Sequence, residues 1–397
     1  MLTNQKYSKR GERSNKLFDK RSFKKMKNQI NRKLSELCRQ GLEEGVFCGV
    51  SAAVSVTRHG VRSRSWFSGG RTRSDAHGQP VKAETFFDLA SLTKPLCTTL
   101  CVLHLLETGQ MRLCQSGLPP LAPDLEPEKE AITIRHLLQH SSGLPAYQPY
   151  FAQFNPRQSP RNKGLLLEKI IREPIDYPLG STCVYSDLGF MLLGWLIEHT
   201  TATRLDHLFS TVITEPLQIS STLRFRPLNE TWTDEHTGTI AATEKCLWRQ
   251  RLLQGEVHDE HCWLMGGVAG HAGLFGTIEA VMRLCERLLD IWKGRNSHPA
   301  FANALLREAL TRRHQSSSWC LGFDTPTPGR SSSGHLFSAH SVGHLGFSGT
   351  SFWIDPEQEV IIVLLTNRVH PSRENIKIRP FRPIFHDRLM ETILAAS

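Results

Sequence analysis

Residues 88–99, "DLASLTKPLCTT", decide how the rest of the chain is read. Ser91 and Lys94 stand three apart, directly ahead of Pro95 and an apolar run that lasts to Leu106. Three residues of helix turn the chain by about 300°, so positions i and i+3 share a face and their side chains meet. Proline is accepted in a first helical turn and not deeper, which puts the pair at a helix N-terminus. There the positive end of the helix dipole and burial against an apolar helix both oppose an ammonium, so the lysine is expected to be a neutral amine near pH 7. Such an amine takes the proton of a serine hydroxyl while unpaired first-turn N–H groups face a developing oxyanion. Spacing alone decides nothing, because S-x-x-K arises by chance about once in a chain this long. Ser22 and Lys25 repeat it with no buried helix behind them. A structural helix start and a nucleophile with its base both stay open at this point.

Two further stretches bear on the choice. "YSD" (185–187) sets Tyr185 and Asp187 before a second apolar helix, a phenol to relay a proton to a leaving group and a carboxylate to hold an ammonium. "GHLGFSGT" (343–350) sets Gly346 beside a strand edge, where a missing side chain lets a substrate backbone come close. It also offers the Phe347 N–H as a second oxyanion donor.

Around these stretches the periodicity alternates between strand and helix. "VSAAVSV" (50–56), a turn at "RHG" (58–60) and "RSRSWFSGG" read as a hairpin, and "SGTSFWID" (348–355) with "EVIIVLLTN" (359–367) as a second. A helical pattern of Ile30, Leu34 and Leu37 runs toward Gly41, and an amphipathic helix is expected from about Pro383 to Leu394. "PLCTTLCVLHLLETG" reads as a central buried helix with a glycine stop at Gly109, and 132–145 and 186–201 as further helices. Residues 119–245 look like a mainly helical insertion, and the polar loop 326–338 is expected to be mobile. Strands at both ends with helices between imply an α+β fold whose antiparallel sheet is assembled from the two chain ends.

At 397 residues the chain buries a large core without staples. Its net charge of +10 is uneven: Met1 to Lys33 holds 12 of the 48 Lys and Arg but only two acids, Glu12 and Asp19, and the remainder balances. Residues 1–33 therefore read as a flexible basic arm that contacts an acidic surface, ahead of a neutral domain over 34–397 for which no nucleic-acid partner is expected. Ten scattered cysteines without a C-x-x-C pair read as reduced thiols. With no secretory h-region and no long uncharged apolar stretch, a cytoplasmic setting without a transmembrane segment is the expectation.

With "SLTK", "YSD" and "HLG" in this order and at these separations, the chain resembles the serine β-lactamase and penicillin-binding-protein superfamily, in its class C-like branch, over about residues 46–392. "ITIRHLLQHSSGLPAY" and "GGVAGHAGLF" (266–275) look like connecting segments of that branch. The resemblance implies a β-lactamase/transpeptidase-like fold with a helical subdomain and a cleft between the two parts. It implies Ser91 as acylated nucleophile, Lys94 and Tyr185 sharing the proton work, His344 on the strand lining the cleft, and the Ser91 and Phe347 N–H groups as oxyanion hole. Neither metal nor cofactor is needed.

Three positions depart from the family pattern: Asp187 stands for the usual Asn, Leu345 for a hydroxyl residue, and His344 for a permanent cation. Antibiotic hydrolysis is thereby set aside in favour of an amide or ester of a peptide-like substrate, with a muramyl peptide as the specific expectation. An esterase, D,D-peptidase or β-lactamase of the same superfamily, or a non-catalytic penicillin- or peptidoglycan-binding module, are the alternatives.

Competing motifs are weaker. "GGVAGHAGLFG" lacks the G-K-[ST] ending of a phosphate loop, and "GFSGT" is not a G-x-S-x-G elbow. His258, His261 and Cys262 lack a fourth zinc ligand at a recognised spacing. His136 and His140 read as a polar stripe, and His271 as a satisfied structural histidine rather than a cleft residue.

Overall fold

The computed structural model describes residues 20–122, 124–155, 162–230, 240–312 and 317–396. Its first element corrects the expected boundary of the arm: helix α1 spans Lys20–Glu43 and so begins inside the segment read as flexible. Met26 and Ile30 continue the apolar stripe of Leu34 and Leu37, all of them buried, while the many lysines fall on the opposite face. Charge count hid an amphipathic helix. Residues 1–19 of the arm lie outside the described residues.

Five strands make the main sheet: β1 (Gly49–Arg58), β2 (Val61–Gly70), β3 (Val342–Leu345), β4 (Ser351–Asp355) and β5 (Val360–Thr366), in the order β2-β1-β5-β4-β3. Neighbours run antiparallel throughout, and β1 meets β5 in the middle with Val50 opposite Thr366 and Val56 opposite Val360. The alternation of side chains across a strand makes β1 and β5 serve two cores. Val50, Ala52, Val54, Val56, Ile362 and Leu364 pack under α1 and the C-terminal helix, whereas Ala53, Ile361, Val363 and Leu365 face the larger helical side.

On that larger side, α2 (Leu100–Glu107) ends at Gly109, whose φ of 72° suits a residue without Cβ. The helix expected over 132–145 is shorter: α3 covers Ile134–Leu138 and stops at His140, which adopts φ 55°. Next come α4 (Asp187–Thr201) and α5 (Ile278–Trp292), and α6 (Ile378–Leu394) closes the chain. Helix α6 starts five residues ahead of the expected Pro383, which sits inside it. A small sheet in which Leu274–Gly276 pairs with both Phe87–Asp88 and Leu223–Phe225 ties the segment before Ser91 to the helical part of the chain. Its two- and three-residue strands are too short to carry a periodic signal.

The loop 326–338, expected to be mobile, is tied to α6 and β4. Asp387 accepts the His335 backbone N–H at 2.6 Å, His386 meets the Ser332 carbonyl at 2.8 Å, and Asp355 accepts from Ser338 at 2.8 and 2.9 Å. No described helix is long and apolar enough to cross a membrane.

Candidate active site

Ser91 lies on a tight 3-10 turn, Ala90–Leu92, that opens through a wide π-type stretch, Lys94–Thr99, into α2. The turn is strained at Ala90, which adopts φ 48°. Asp88 holds it there: one carboxylate oxygen accepts the Ala90 N–H at 2.8 Å and the other the His258 N–H at 2.7 Å. Asp88 is buried, and burial raises its pKa above the ordinary value. From the far end of the chain, Ser348 donates to the Asp88 carbonyl (2.7 Å) and Thr350 to the Leu89 carbonyl (3.0 Å). Arg382 of α6 donates to the Gly346 and Thr350 carbonyls at 3.0 and 2.8 Å. The Ser91 turn and the β3–β4 hairpin are thus one braced unit. Among the described residues, neither the Ser91 nor the Phe347 N–H finds an acceptor.

Lys94 is wholly buried. Its ammonium donates to three acceptors: Asp187 Oδ1 at 2.6 Å, the His271 carbonyl at 3.1 Å and Ser91 Oγ at 3.2 Å. Three donors for three acceptors is the full capacity of –NH3+. The neutral lysine expected from sequence is therefore corrected. Burial does oppose its charge, but the charge and hydrogen bond of Asp187, with Tyr185 adding, outweigh it and raise the pKa above 10.5. The decisive partner comes from the N-terminus of α4, where Ser186 caps the helix and Asp187 is its first residue.

Tyr185 stands beside Lys94, whose nitrogen lies 4.9 Å from its ring centroid. Burial pushes the phenol up to about 12, so it rests protonated. His140, Trp319 and His344 pack around it, with ring centroids 4.8, 5.3 and 5.8 Å away. The His140 ring also accepts the Ser186 N–H at 3.1 Å, fixing the start of α4. His344 hydrogen-bonds the Leu345 carbonyl through Nδ1 at 2.8 Å. Burial, with Lys94 nearby, drives its pKa down to about 3, so it presents a neutral imidazole.

The structure thus brings Ser91, Lys94, Tyr185, Asp187 and His344 into one cluster. Gly346 lies where the backbone leaves no space for a side chain. A Cβ there would meet Thr350 Oγ1 at 2.0 Å and the Leu89 carbonyl at 2.6 Å, so the missing side chain makes room for the brace to the Ser91 turn. Phe347, half exposed, stacks on His258 and lies under the Arg368 guanidinium. His271 contributes its carbonyl, while its ring bonds Asp259 at 2.8 Å. Gly270 next to it has no room for a side chain, since a Cβ would meet the Phe190 carbonyl of α4 at 2.1 Å. This close approach sets the His271 carbonyl against Lys94.

His258, His261 and Cys262 do not converge. They bond Glu244, the Phe151 N–H and the Ala272 carbonyl respectively. His136 caps α3 with Thr133, and His140, grouped with it in sequence, stands in the site. Asp88, His140 and Trp319 carry no local signal that would have found them.

The Beta-lactamase family profile matches residues 34–382. A "Putative D-alanyl-D-alanine carboxypeptidase" of Salmonella typhi is 31% identical over 361 residues, covering 83% of this chain and 81% of the relative. The protein of the same description from Salmonella paratyphi A is 30% identical with the same coverage. Among solved structures, a penicillin-binding protein homologue from Caulobacter crescentus superposes with a TM-score of 0.68 at 18% identity, covering 93% of this chain and 98% of that one. EstCE1, described as a hydrolase with promiscuous acyltransferase activity, gives 0.65 at 19%, covering 90% and 99%.

Proposed function

Because the chain belongs to the Beta-lactamase family and is a serine hydrolase of that family, we propose that it cleaves an amide or ester bond of a peptide-like substrate through an acyl-enzyme on Ser91. The observation that carries this reading is the contact of Lys94 with both Ser91 Oγ (3.2 Å) and Asp187 (2.6 Å) beside the Tyr185 hydroxyl. Acylation starts from the form in which Lys94 has lost the proton facing Ser91. As Oγ attacks the carbonyl carbon, the amine takes the hydroxyl proton, and the Ser91 and Phe347 N–H groups hold the oxyanion. The proton passes by way of Tyr185 to the departing nitrogen or oxygen, and the bond to the leaving group breaks. Water repeats the sequence on the acyl-enzyme and restores Ser91.

A muropeptide is the physiological substrate class we favour, and the relatives described as carboxypeptidases support a peptide with a D-alanyl end as its nearest test compound. One observation favours an esterase as second reading: His344 is neutral and Leu345 has no hydroxyl, so β3 offers no fixed cation or donor for a terminal carboxylate. Ten unpaired cysteines, six of them fully buried, support a reducing, cytoplasmic setting. The experiment measures product release from a muramyl dipeptide, a D-Ala-D-Ala peptide, nitrocefin and a short-chain ester, with Ser91→Ala as control. A folded protein that turns over none of them and is not labelled by a fluorophosphonate leaves the catalytic reading without support.

A further inference from the structure

Strand β2 is an outer strand of the sheet. The turn at His59 and Gly60 makes Arg58 and Val61 the closing pair, so Val61, Ser63, Ser65 and Phe67 turn their N–H and C=O groups to β1. Arg62, Arg64, Trp66 and Ser68 direct theirs outward, and among the described residues none of these backbone groups is taken up. A groove of 860 Å³ follows this edge, with Phe23, Lys24 and Lys27 of α1 on one wall and Val61, Arg64 and Trp66 on the other. Val61 and Trp66 are 40% and 39% exposed. Arg62 and Arg64 are committed to Asp290 and Glu286 of α5, so the unmatched charge of the groove is that of Lys24 and Lys27, which pair with no described acid.

The charge selects the occupant. Residues 1–19 of this chain hold five Lys and Arg against two acids, a charge of the same sign as that of the groove. A second copy joined edge to edge would bring its own lysines against these, the way lysines on an outer strand ordinarily prevent self-pairing. We propose that β2 accepts an extended acidic segment of another protein as a sixth strand. Main-chain hydrogen bonds to residues 62–68 supply the attachment, and side chains alternate between the two faces. Carboxylates on one face meet Lys24 and Lys27, and apolar side chains on the other cover Trp66. This surface is independent of the catalytic reading, since none of its residues touches the Ser91 cluster.

The test follows fluorescence anisotropy of a fluorescein-labelled peptide of alternating glutamate and valine, about ten residues long, added to the full chain. Saturable binding is expected. It weakens about tenfold or more when alternate peptide amides are N-methylated, and by a similar factor in Lys24→Glu/Lys27→Glu. Circular dichroism and fluorophosphonate labelling of the double variant are expected to match the unaltered chain. Equal binding of the N-methylated peptide would reduce the contact to bulk electrostatics and overturn the proposal, as would unchanged affinity in the double variant or no saturable binding. Light scattering that reveals a dimer dissolved by Trp66→Asp would give the edge to a second copy and overturn it likewise.

Discussion

Replacing Asp187 by asparagine keeps the shape of the site and removes one charge. The pair it breaks is short, 2.6 Å, and its lysine end is fully buried. At an effective dielectric of about 20 two unit charges at that distance attract by about 6 kcal/mol. A fifth of the Asp187 side chain is exposed, so water screens part of this. Even a remainder of about 1.4 kcal/mol is a factor of ten in the lysine's proton affinity. With the carboxylate gone, burial is the main influence left on Lys94, and it favours the neutral amine. The sign follows from a base that must be unprotonated: the native enzyme gains rate as pH rises toward the elevated lysine pKa, and Asp187→Asn moves that limb to lower pH. The assay is kcat/KM on a chromogenic ester from pH 5 to 10, with fluorophosphonate labelling to isolate acylation. The variant should exceed the native enzyme about tenfold or more at pH 6, and the advantage should narrow only as pH 10 is approached. A ratio that stays constant across the range, or a loss at every pH, would refute the argument, because either result gives the carboxylate a task other than holding the lysine's proton.

Four other outcomes are expected. Tyr185→Phe should slow acylation by about 10²–10⁴-fold with little change in thermal stability, measured by labelling rate and melting. Gly346→Ala should destabilise the fold by about 1–3 kcal/mol in urea titration and lower activity, because its Cβ must displace Thr350 or the Leu89 carbonyl. His344→Gln should leave the pH profile between 5 and 8 unaltered, since burial already keeps this imidazole neutral down to about pH 3. Burial alone would raise the Glu244 pKa, but His258 and Arg373 lower it from 4.5 to about 2. A lowered carboxyl contributes stability above pH 4.5 and loses it as pH falls toward 2, so Glu244→Gln should flatten the acid side of the melting curve in that window.

The parts of the site legible in sequence are those whose geometry is local. Ser91 and Lys94 meet because helical spacing makes them neighbours, and the hairpins of β1–β2 and β4–β5 announce themselves by alternation and turn residues. What depends on distant packing was not legible. The charge state of Lys94 hinges on an acid 93 residues away, and a helix-terminus argument that counts only the lysine's own helix gives the wrong sign. His140 and Trp319 reach Tyr185 only through tertiary structure, as does Thr350 in filling the space at Gly346. The start of α1 was missed because twelve Lys and Arg dominate residues 1–33 and conceal the spacing of Met26 and Ile30.

The joining of β1 to the last strand has a consequence for the timing of synthesis. Gly49 donates to Asn367 across 318 residues, and the supports of the Ser91 turn, Ser348, Thr350 and Arg382, all lie near the C-terminus. At ~5–20 residues per second, a ribosome delivers Ser91 some tens of seconds before the segments that brace its turn. A nascent chain that has not yet reached Arg382 therefore holds Ser91 on a turn without its brace.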